Sequence, residues 1–480
     1  MNNTLDFSPE QFEQLLNKTS DLVINQLSDL EEKKAYHYYP QKEVESWFDE
    51  PLPKEGMNPE DVIDLFKELV MDTATNNVGP YMYAYVMAGG SQMSLLAEKL
   101  TATINQNVGK WHLGPAASEI EKRVVQWAGE LTTFGKDCGG VMVSGGSAAN
   151  LAGLTVARNI FFEKENIREK GLFGMKPFTV YASTEVHGCV DKSLMELGIG
   201  TNQLRKIAVN DDFTINLDAL KAAIEQDKAA DFTPFCVVGN AGTVNTGAID
   251  DLTALAAISK EYDMWFHIDG AYGGLPACLK SIQKEYKGIE MADSLALDFH
   301  KWMYQTFEAG CLLVNDFSIL QRTYFKQASY LDTTLEEQGR TNFNEHYFQL
   351  TRNAKAIKVW MSLKTYGMKK LKEMIQKDID LAHYLGEQIE KADDFELKST
   401  SHLAVTSFRY TNGLTDEKTI DELNRKLIPA LEKDGRVFIT GTTLHNQFVI
   451  RACLINHRMH EGTVDYLLKV IREVATNLYS

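Results

Sequence analysis

Five groups of residues in this chain of 480 could do chemistry, and each follows a short apolar run. Lys301 comes directly after SLALDF, with His300 before it and Trp302 behind it. An amine at the end of a buried strand loses hydration, which disfavours its charged form and suits it to Schiff-base formation. Asp269 ends MWFHID and leads into Gly270-Ala271-Tyr272, and His267, two residues earlier, shares its face of an extended chain. A carboxylate at a buried strand end needs a cationic or proton-donating partner. Gly145-Gly146-Ser147 separates VMVS from the helical run LAGLTVARN. Two glycines admit a ligand close to the backbone, and the amides of a helix start can hold an anion there with the Ser147 hydroxyl. No Gly-Lys-Ser/Thr follows, so this is not a Walker loop. His187, beyond VYAS, offers an imidazole for stacking or proton transfer, and Gly242-Thr243, beyond FCVVGN, is a further small-residue turn. Singly, each has a plain alternative: a tight turn, a solvated loop charge, a satisfied loop histidine.

Together they fit one cofactor. A phosphate nest, a stacking imidazole, an acid able to keep a pyridine nitrogen protonated and a desolvated lysine are what pyridoxal 5'-phosphate (PLP) needs.

These residues must be positioned by the elements that carry them. GGVMVS, FTVYAS, FCVVGN, MWFHID and SLALDF are apolar throughout rather than alternating, so they read as strands buried on both faces. Helical runs alternate with them from about residue 120, which predicts a mainly parallel sheet flanked by helices. Ligands of such sheets bind beyond the carboxyl ends of the strands, where the reactive residues lie. The first 75 or so residues read as helix from Ser8-Pro9-Glu10 onward, with apolar Phe12, Leu15, Leu16, Leu22 and Val23 at helical spacing. That stripe must be covered by the rest of the chain or by a partner subunit. After about residue 352 a long helical region leads to strands HLAVTSFRY and QFVIRACLI and a final helix, which reads as a smaller α+β domain.

Composition narrows the class. Lys and Arg number 49 against 66 Asp and Glu, a formal charge of −17 that argues against nucleic-acid or anionic-membrane partners. The six cysteines are scattered with no C-x-x-C pair, so neither a disulfide framework nor a metal site is expected. MNNTLDFSPEQFEQLL has no signal-peptide pattern, and no apolar run is long enough to span a bilayer; a cytoplasmic protein is expected.

At this point the chain resembles the group II PLP-dependent decarboxylases, the aromatic-L-amino-acid and glutamate decarboxylase family of fold type I. Ala292 through His300-Lys301-Trp302 resembles the family's lysine segment, with Asp298 at its N/D position. Trp265 through Tyr272 is similar to its pyridine-binding strand, Ser144 through Asn150 to its phosphate loop, Leu113 through Glu119 to the S-P-x-x-x-E run ahead of that loop, and Gly79-Pro80-Tyr81 through Tyr85 to its substrate-mouth segment. The resemblance implies an α/β fold with a mainly parallel seven-stranded sheet, divided as residues 1–78 (helical dimerisation segment), 79–352 (PLP-binding domain) and 353–480 (small C-terminal domain). It implies a homodimer whose sites are completed across the interface. Carried over residue by residue, Lys301 forms the Schiff base, Asp269 pairs with the pyridine nitrogen, and His187 and Ala271 pack on the two ring faces. Gly146, Ser147 and His300 hold the phosphate, and Thr243 lies near the cofactor. Tyr81, Tyr85 and Trp111 border the substrate.

Two departures stand out. Gly79 replaces the histidine of many relatives, and Met87-Ala88-Gly89 stands where aromatic decarboxylases often have a proline and a small hydroxyl residue. Counting back from Arg352 and Trp360 puts Phe343 near the position of a proton-donating tyrosine, where phenylalanine accompanies oxygen-consuming aldehyde synthases; Tyr330, in Ser329-Tyr330-Leu331, offers the proton instead, as in bacterial relatives. The expected activity is decarboxylation of an L-amino acid, most readily an aromatic one, to the amine. The alternatives are an aldehyde synthase and a decarboxylase of an acidic amino acid.

Overall fold

The computed structural model describes residues 5–326 and 339–479. Its centre is a seven-stranded sheet: β1 Gly139–Val143, β2 Phe178–Ser183, β3 Leu204–Ile207, β4 Thr233–Asn240, β5 Trp265–Gly270, β6 Ser294–Asp298 and β7 Gly310–Val314. The spatial order is β1-β7-β6-β5-β4-β2-β3, with β7 antiparallel to both neighbours and the other pairings parallel.

The apolar runs fold this way because both faces are covered. Val141, Val143, Ala296, Leu312 and Val314 join one core, packed with Ala149, Ala152 and Val156 of the helix Gly146–Phe161. Their sequence neighbours Met142, Leu295, Leu297, Cys311 and Leu313 join the other, with Val124, Val125 and Ala128 of the helix Pro115–Leu131. Alternate side chains leave water in opposite directions, so a strand apolar at every position buries all of them. Each fully buried aliphatic side chain contributes about 1.5–3 kcal/mol of transfer free energy.

Two strands of this sheet, β3 and β7, are additions to the sequence reading. In β3 (LRKI) only the two end residues are buried, since Arg205 and Lys206 face outward at the edge of the sheet. β7 (GCLLV) is wholly buried and returns from β6 after a connection too short for the strand–helix rhythm.

A second sheet, ordered β10-β11-β9-β8 and antiparallel throughout, comprises β8 Phe395–Thr400, β9 Val405–Tyr410, β10 Thr440–Leu444 and β11 Gln447–Cys453. The helix Ala356–Glu390 runs alongside it and is interrupted at Gly367, whose φ of 68° and ψ of 159° are reached readily only by glycine. Leu403, Val405 and Phe408 share a core with Tyr272, Trp302 and Met303, so the small sheet packs against the turn that follows Lys301. Asp378 is fully buried in this joint, accepting a bond from Tyr304 Oη (2.8 Å), and burial pushes its carboxyl up to about 8.

The N-terminal helix Pro9–Leu27 is capped by Ser8, whose hydroxyl accepts from Gln11 N–H. Only Leu15 of that helix is buried; Phe12 and Ile24 are exposed, as are Val62, Leu65 and Phe66 of the helix Pro59–Phe66. All six cysteines are unpaired and buried. No helix among the described residues is long and apolar enough to cross a membrane.

Candidate active site

The carboxyl ends of β1, β2, β4, β5 and β6 surround a cavity of about 300 Å³. Gly146, Ser147, His187, Thr243, Asp269, Ala271, His300 and Lys301 all line it. Residues from position 146 to 301 thus meet at one place because successive parallel strands deliver their ends to the same side of the sheet.

Lys301 sits on the single helical turn Phe299–Trp302 that terminates β6. Its Nζ lies 3.0 Å from Asp298 Oδ2, and His300 Nε2 lies 3.5 Å from the same oxygen. His300 Nδ1 accepts from Ala309 N–H (3.2 Å), which places the ring proton on Nε2, toward Asp298. Burial lowers the affinity of His300 for a second proton. Asp298 Oδ1 is buried with no hydrogen-bond partner among the described residues.

Asp269 ends β5 and is 7% exposed. Its Oδ1 accepts from Ala271 N–H at 3.1 Å. Among the described residues no donor reaches Oδ2, so that oxygen is available to a donor inside the cavity. Facing it across the cleft, the helix Gly146–Phe161 begins with the amides of Gly146, Ser147 and Ala148 ahead of its first internal bond, Ala149 N–H to Gly145 O. A Cβ at Gly146 would stand 2.6 Å from Ala271 Cβ and 2.9 Å from Asp298 Oδ2, so glycine is what keeps this cradle open. His187 is exposed on the cavity wall, its Nδ1 accepting from Cys189 N–H at 3.2 Å. The Thr243 hydroxyl accepts from Ala248 N–H (3.2 Å) and pairs with Thr246 Oγ1 (2.9 Å) within its own turn.

These residues fit PLP. An orphaned acceptor on Asp269 suits a protonated pyridine nitrogen, the amides of the helix start suit its phosphate, and Lys301 suits its aldehyde.

A pyridoxal-dependent decarboxylase conserved domain matches residues 40–411. The aromatic-L-amino-acid decarboxylase of Bacillus atrophaeus is 31% identical over 476 residues, 99% of this chain and 97% of that protein. The chain belongs to the pyridoxal-dependent decarboxylases. A phenylacetaldehyde synthase of Petunia hybrida is 27% identical over 98% of this chain and 95% of its own length. The crystal structure of Oryza sativa TDC with PLP and tryptamine superposes with a TM-score of 0.92 at 22% identity, covering 99% of this chain and 100% of that one, which speaks to the fold.

Of the remaining sequence-predicted site residues of this decarboxylase, Tyr81, Tyr85 and Trp111 lie outside the lining of this cavity. Tyr330 falls outside the described residues. Tyr81 packs on Tyr466 (ring centroids 4.8 Å), Tyr85 is 56% exposed at a φ of 58°, and Trp111 donates Nε1–H to Glu119 (2.9 Å) beneath the Arg340 guanidinium. None of the three lines the cavity. Phe343 is 1% exposed in the core beside Ile319 and Tyr347, with the Arg352 guanidinium 5.0 Å from its ring centre. Sequence reasoning gave no role to Asn150, Cys189, Asn240, Val244 or Glu308, all of which line the cavity. The contact of Asp298 with Lys301 could have been anticipated, since a carboxylate three residues before a lysine at a helix start reaches it. The others are brought in by partners far away in sequence.

Proposed function

We propose that this decarboxylase acts on an aromatic L-amino acid and releases carbon dioxide and the corresponding amine. The observation that carries the choice is the charge of the cavity wall. Asp269, Asp298 and Glu308 put three carboxylates around it, and among the described lining residues Lys301 is the one cation besides the two histidines. An acidic substrate side chain would meet repulsion there with no cation dedicated to it. The relationship to the Bacillus atrophaeus aromatic-L-amino-acid decarboxylase, end to end, supports the same reading.

In this reading PLP, when bound, supplies a protonated pyridine that accepts the electron pair left as carbon dioxide departs. Asp269 Oδ2 keeps the nitrogen protonated, its partner oxygen fixed by Ala271 N–H. His187 and Ala271 cover the ring faces, and Gly146, Ser147 and His300 hold the phosphate. Thr243 packs at the cofactor's edge. Lys301 anchors the cofactor, and Asp298, 3.0 Å away, holds the amine's proton when the substrate amine takes its place. Tyr330 returns the proton to carbon. The burial of Phe343 in the core of this chain, outside the residues that line its cavity, supports Tyr330 over Phe343 for that task.

The molecule works as a homodimer, with residues 1–78 as the dimerisation segment ahead of a PLP-binding domain (79–352) and a small C-terminal domain (353–480). The support is the apolar face of Phe12, Ile24, Val62, Leu65 and Phe66, which this chain leaves exposed. Tyr81, Tyr85 and Trp111 then border the substrate from across that interface. A cytoplasmic setting suits six unpaired thiols.

A panel of L-amino acids tested for carbon dioxide release, with amine, aldehyde and oxygen uptake followed together, decides among the readings. Amine from tyrosine, DOPA, tryptophan or phenylalanine is expected. Aldehyde formed with oxygen consumption would make the chain a synthase, and release from glutamate or aspartate alone would overturn the aromatic assignment.

A further inference from the structure

His267 is fully buried, two residues before Asp269 on the same face of β5, and the chemistry proposed above does not use it. Its ring touches two other segments, the helix Gly146–Phe161 and β6. Nε2 lies 2.9 Å from Asn150 Oδ1, and Nδ1 lies 2.8 Å from Ser294 Oγ on β6. Asn150 in turn donates Nδ2–H to Gly146 O (2.9 Å) and to Cys189 Sγ (3.4 Å). Trp265 Nε1–H donates to Ser294 Oγ (2.9 Å).

Donors and acceptors leave one consistent assignment. Both hydrogens of Asn150 Nδ2 are committed, so Oδ1 must accept, and His267 Nε2 carries the proton. Ser294 Oγ accepts from Trp265, so its own hydrogen goes to His267 Nδ1. The imidazole is therefore neutral in a single tautomer, and burial pushes it down to about 4, far from charging at neutral pH.

The site around the ring is built tightly. A Cβ at Gly153, on the helix Gly146–Phe161, would stand 2.5 Å from His267 Cε1, so the helix rests directly on the imidazole. The bond from Asn150 also orients the cradle. A trans peptide points its C=O and N–H in opposite directions, so holding Gly146 O on Asn150 aims Ser147 N–H the other way, to the open end of the helix at the cavity.

We infer that His267 is a positioning residue, a rigid neutral strut that sets the spacing between Asp269 on β5 and the Gly146-Ser147 helix start, so that one ligand can engage its ring nitrogen and its phosphate at once. This rests on the placement of PLP proposed above. An apolar residue of similar volume would fill the space but leave Asn150 Oδ1 and the Ser294 hydroxyl hydrogen unpaired, and the helix start free to shift against β5.

The test compares two ligands on the apoprotein, PLP and pyridoxal, which share the ring and aldehyde and differ in the phosphate. A variant that only loosens the fold weakens both. A variant that misplaces the phosphate cradle relative to Asp269 lowers the advantage of PLP over pyridoxal. His267→Leu is expected to cut that advantage about tenfold, in the range typical of lost outer partners of a bound group. His267→Gln, which keeps a donor for Asn150, should recover most of it. Gly153→Ala, which pushes the helix off the ring with no polar group changed, and Ser294→Ala should each give a smaller loss, and they decide the matter if His267→Leu does not fold. An unchanged ratio in both Gly153→Ala and Ser294→Ala, with the parent preferring PLP, overturns the role of His267 and leaves the PLP placement standing. A parent protein with no preference for PLP over pyridoxal would overturn the placement itself, and the inference with it.

Discussion

The floor of the cavity and its proposed mouth are built on different terms. At the floor, Asp269, Asp298 and His300 are each less than a tenth exposed; Asp269 Oδ1 and His300 Nδ1 accept from backbone amides, and Asp298 Oδ2 faces His300 and Lys301. At the mouth, Tyr85 is more than half exposed, and the Trp111 ring is held by the side chains of Glu119 and Arg340. A reaction step depends on sub-ångström placement of a few groups, whereas a side-chain preference needs only a surface of the right shape and polarity. The floor should therefore fail abruptly on substitution and the mouth gradually.

The largest effect is expected from Lys301→Ala, which should abolish turnover and the visible absorbance of the bound cofactor. In the parent, borohydride should fix the cofactor on the peptide containing Lys301; label recovered on another peptide would break the assignment. Asp269→Asn comes next. It removes the charge opposite the pyridine nitrogen, a loss of about 3 kcal/mol or more in the chemical step, with PLP affinity much less affected. A near-normal kcat would sink the electron-sink role. For Tyr330→Phe, amine formation should slow while aldehyde and peroxide rise, and unchanged amine output removes that residue from the mechanism. Phe343→Tyr should leave the product alone but cost about 1–3 kcal/mol of stability, because it buries a hydroxyl in an apolar core. At the mouth, Tyr85→Ala should change KM severalfold with kcat and PLP affinity nearly intact; a collapse of kcat would put Tyr85 on the floor after all.

A smaller and separate effect belongs to Asp378. Its folded carboxyl titrates at about 8, above the value near 3.9 of an unfolded aspartate. The folded protein therefore holds a proton that the unfolded chain has lost, and the stability this gives is full below about pH 4 and falls as pH rises toward 8. Asp378→Asn keeps an acceptor for Tyr304 and removes the titration, so the gap in Tm between variant and parent should shift in favour of the variant as pH increases over that window. A constant gap would mean that Asp378 is ionised in the folded state.

The same contrast explains what could be read in advance. The meeting of the eight expected cofactor residues at one cavity was legible because each sits at the end of an apolar run, and parallel strands send those ends to one side. Neighbouring Asn150 and Cys189 were invisible because their roles come from partners such as His267, 117 residues from Asn150. The aromatic cluster of Tyr81, Tyr85 and Trp111 suggested a mouth because the residues are near in sequence; within this chain their rings contact Tyr466, Phe438 and Glu119, which no sequence pattern announces. Edge strand β3 was hidden by Arg205 and Lys206, and β7 by arriving where a helix was due.

The six buried thiols give the molecule an internal clock. Burial raises the thiol pKa at all six, most strongly at Cys236 and Cys311, so none offers a reactive thiolate while the chain is closed. Modification by a thiol reagent must then wait for each region to open, and its rate counts those openings. Cys236 and Cys311 lie in β4 and β7 and should report the slowest, near-global events, while Cys189, on the cavity wall, should slow selectively when cofactor is added. A single labelling time course, resolved by peptide, would separate breathing of the cleft from unfolding of the sheet beneath it.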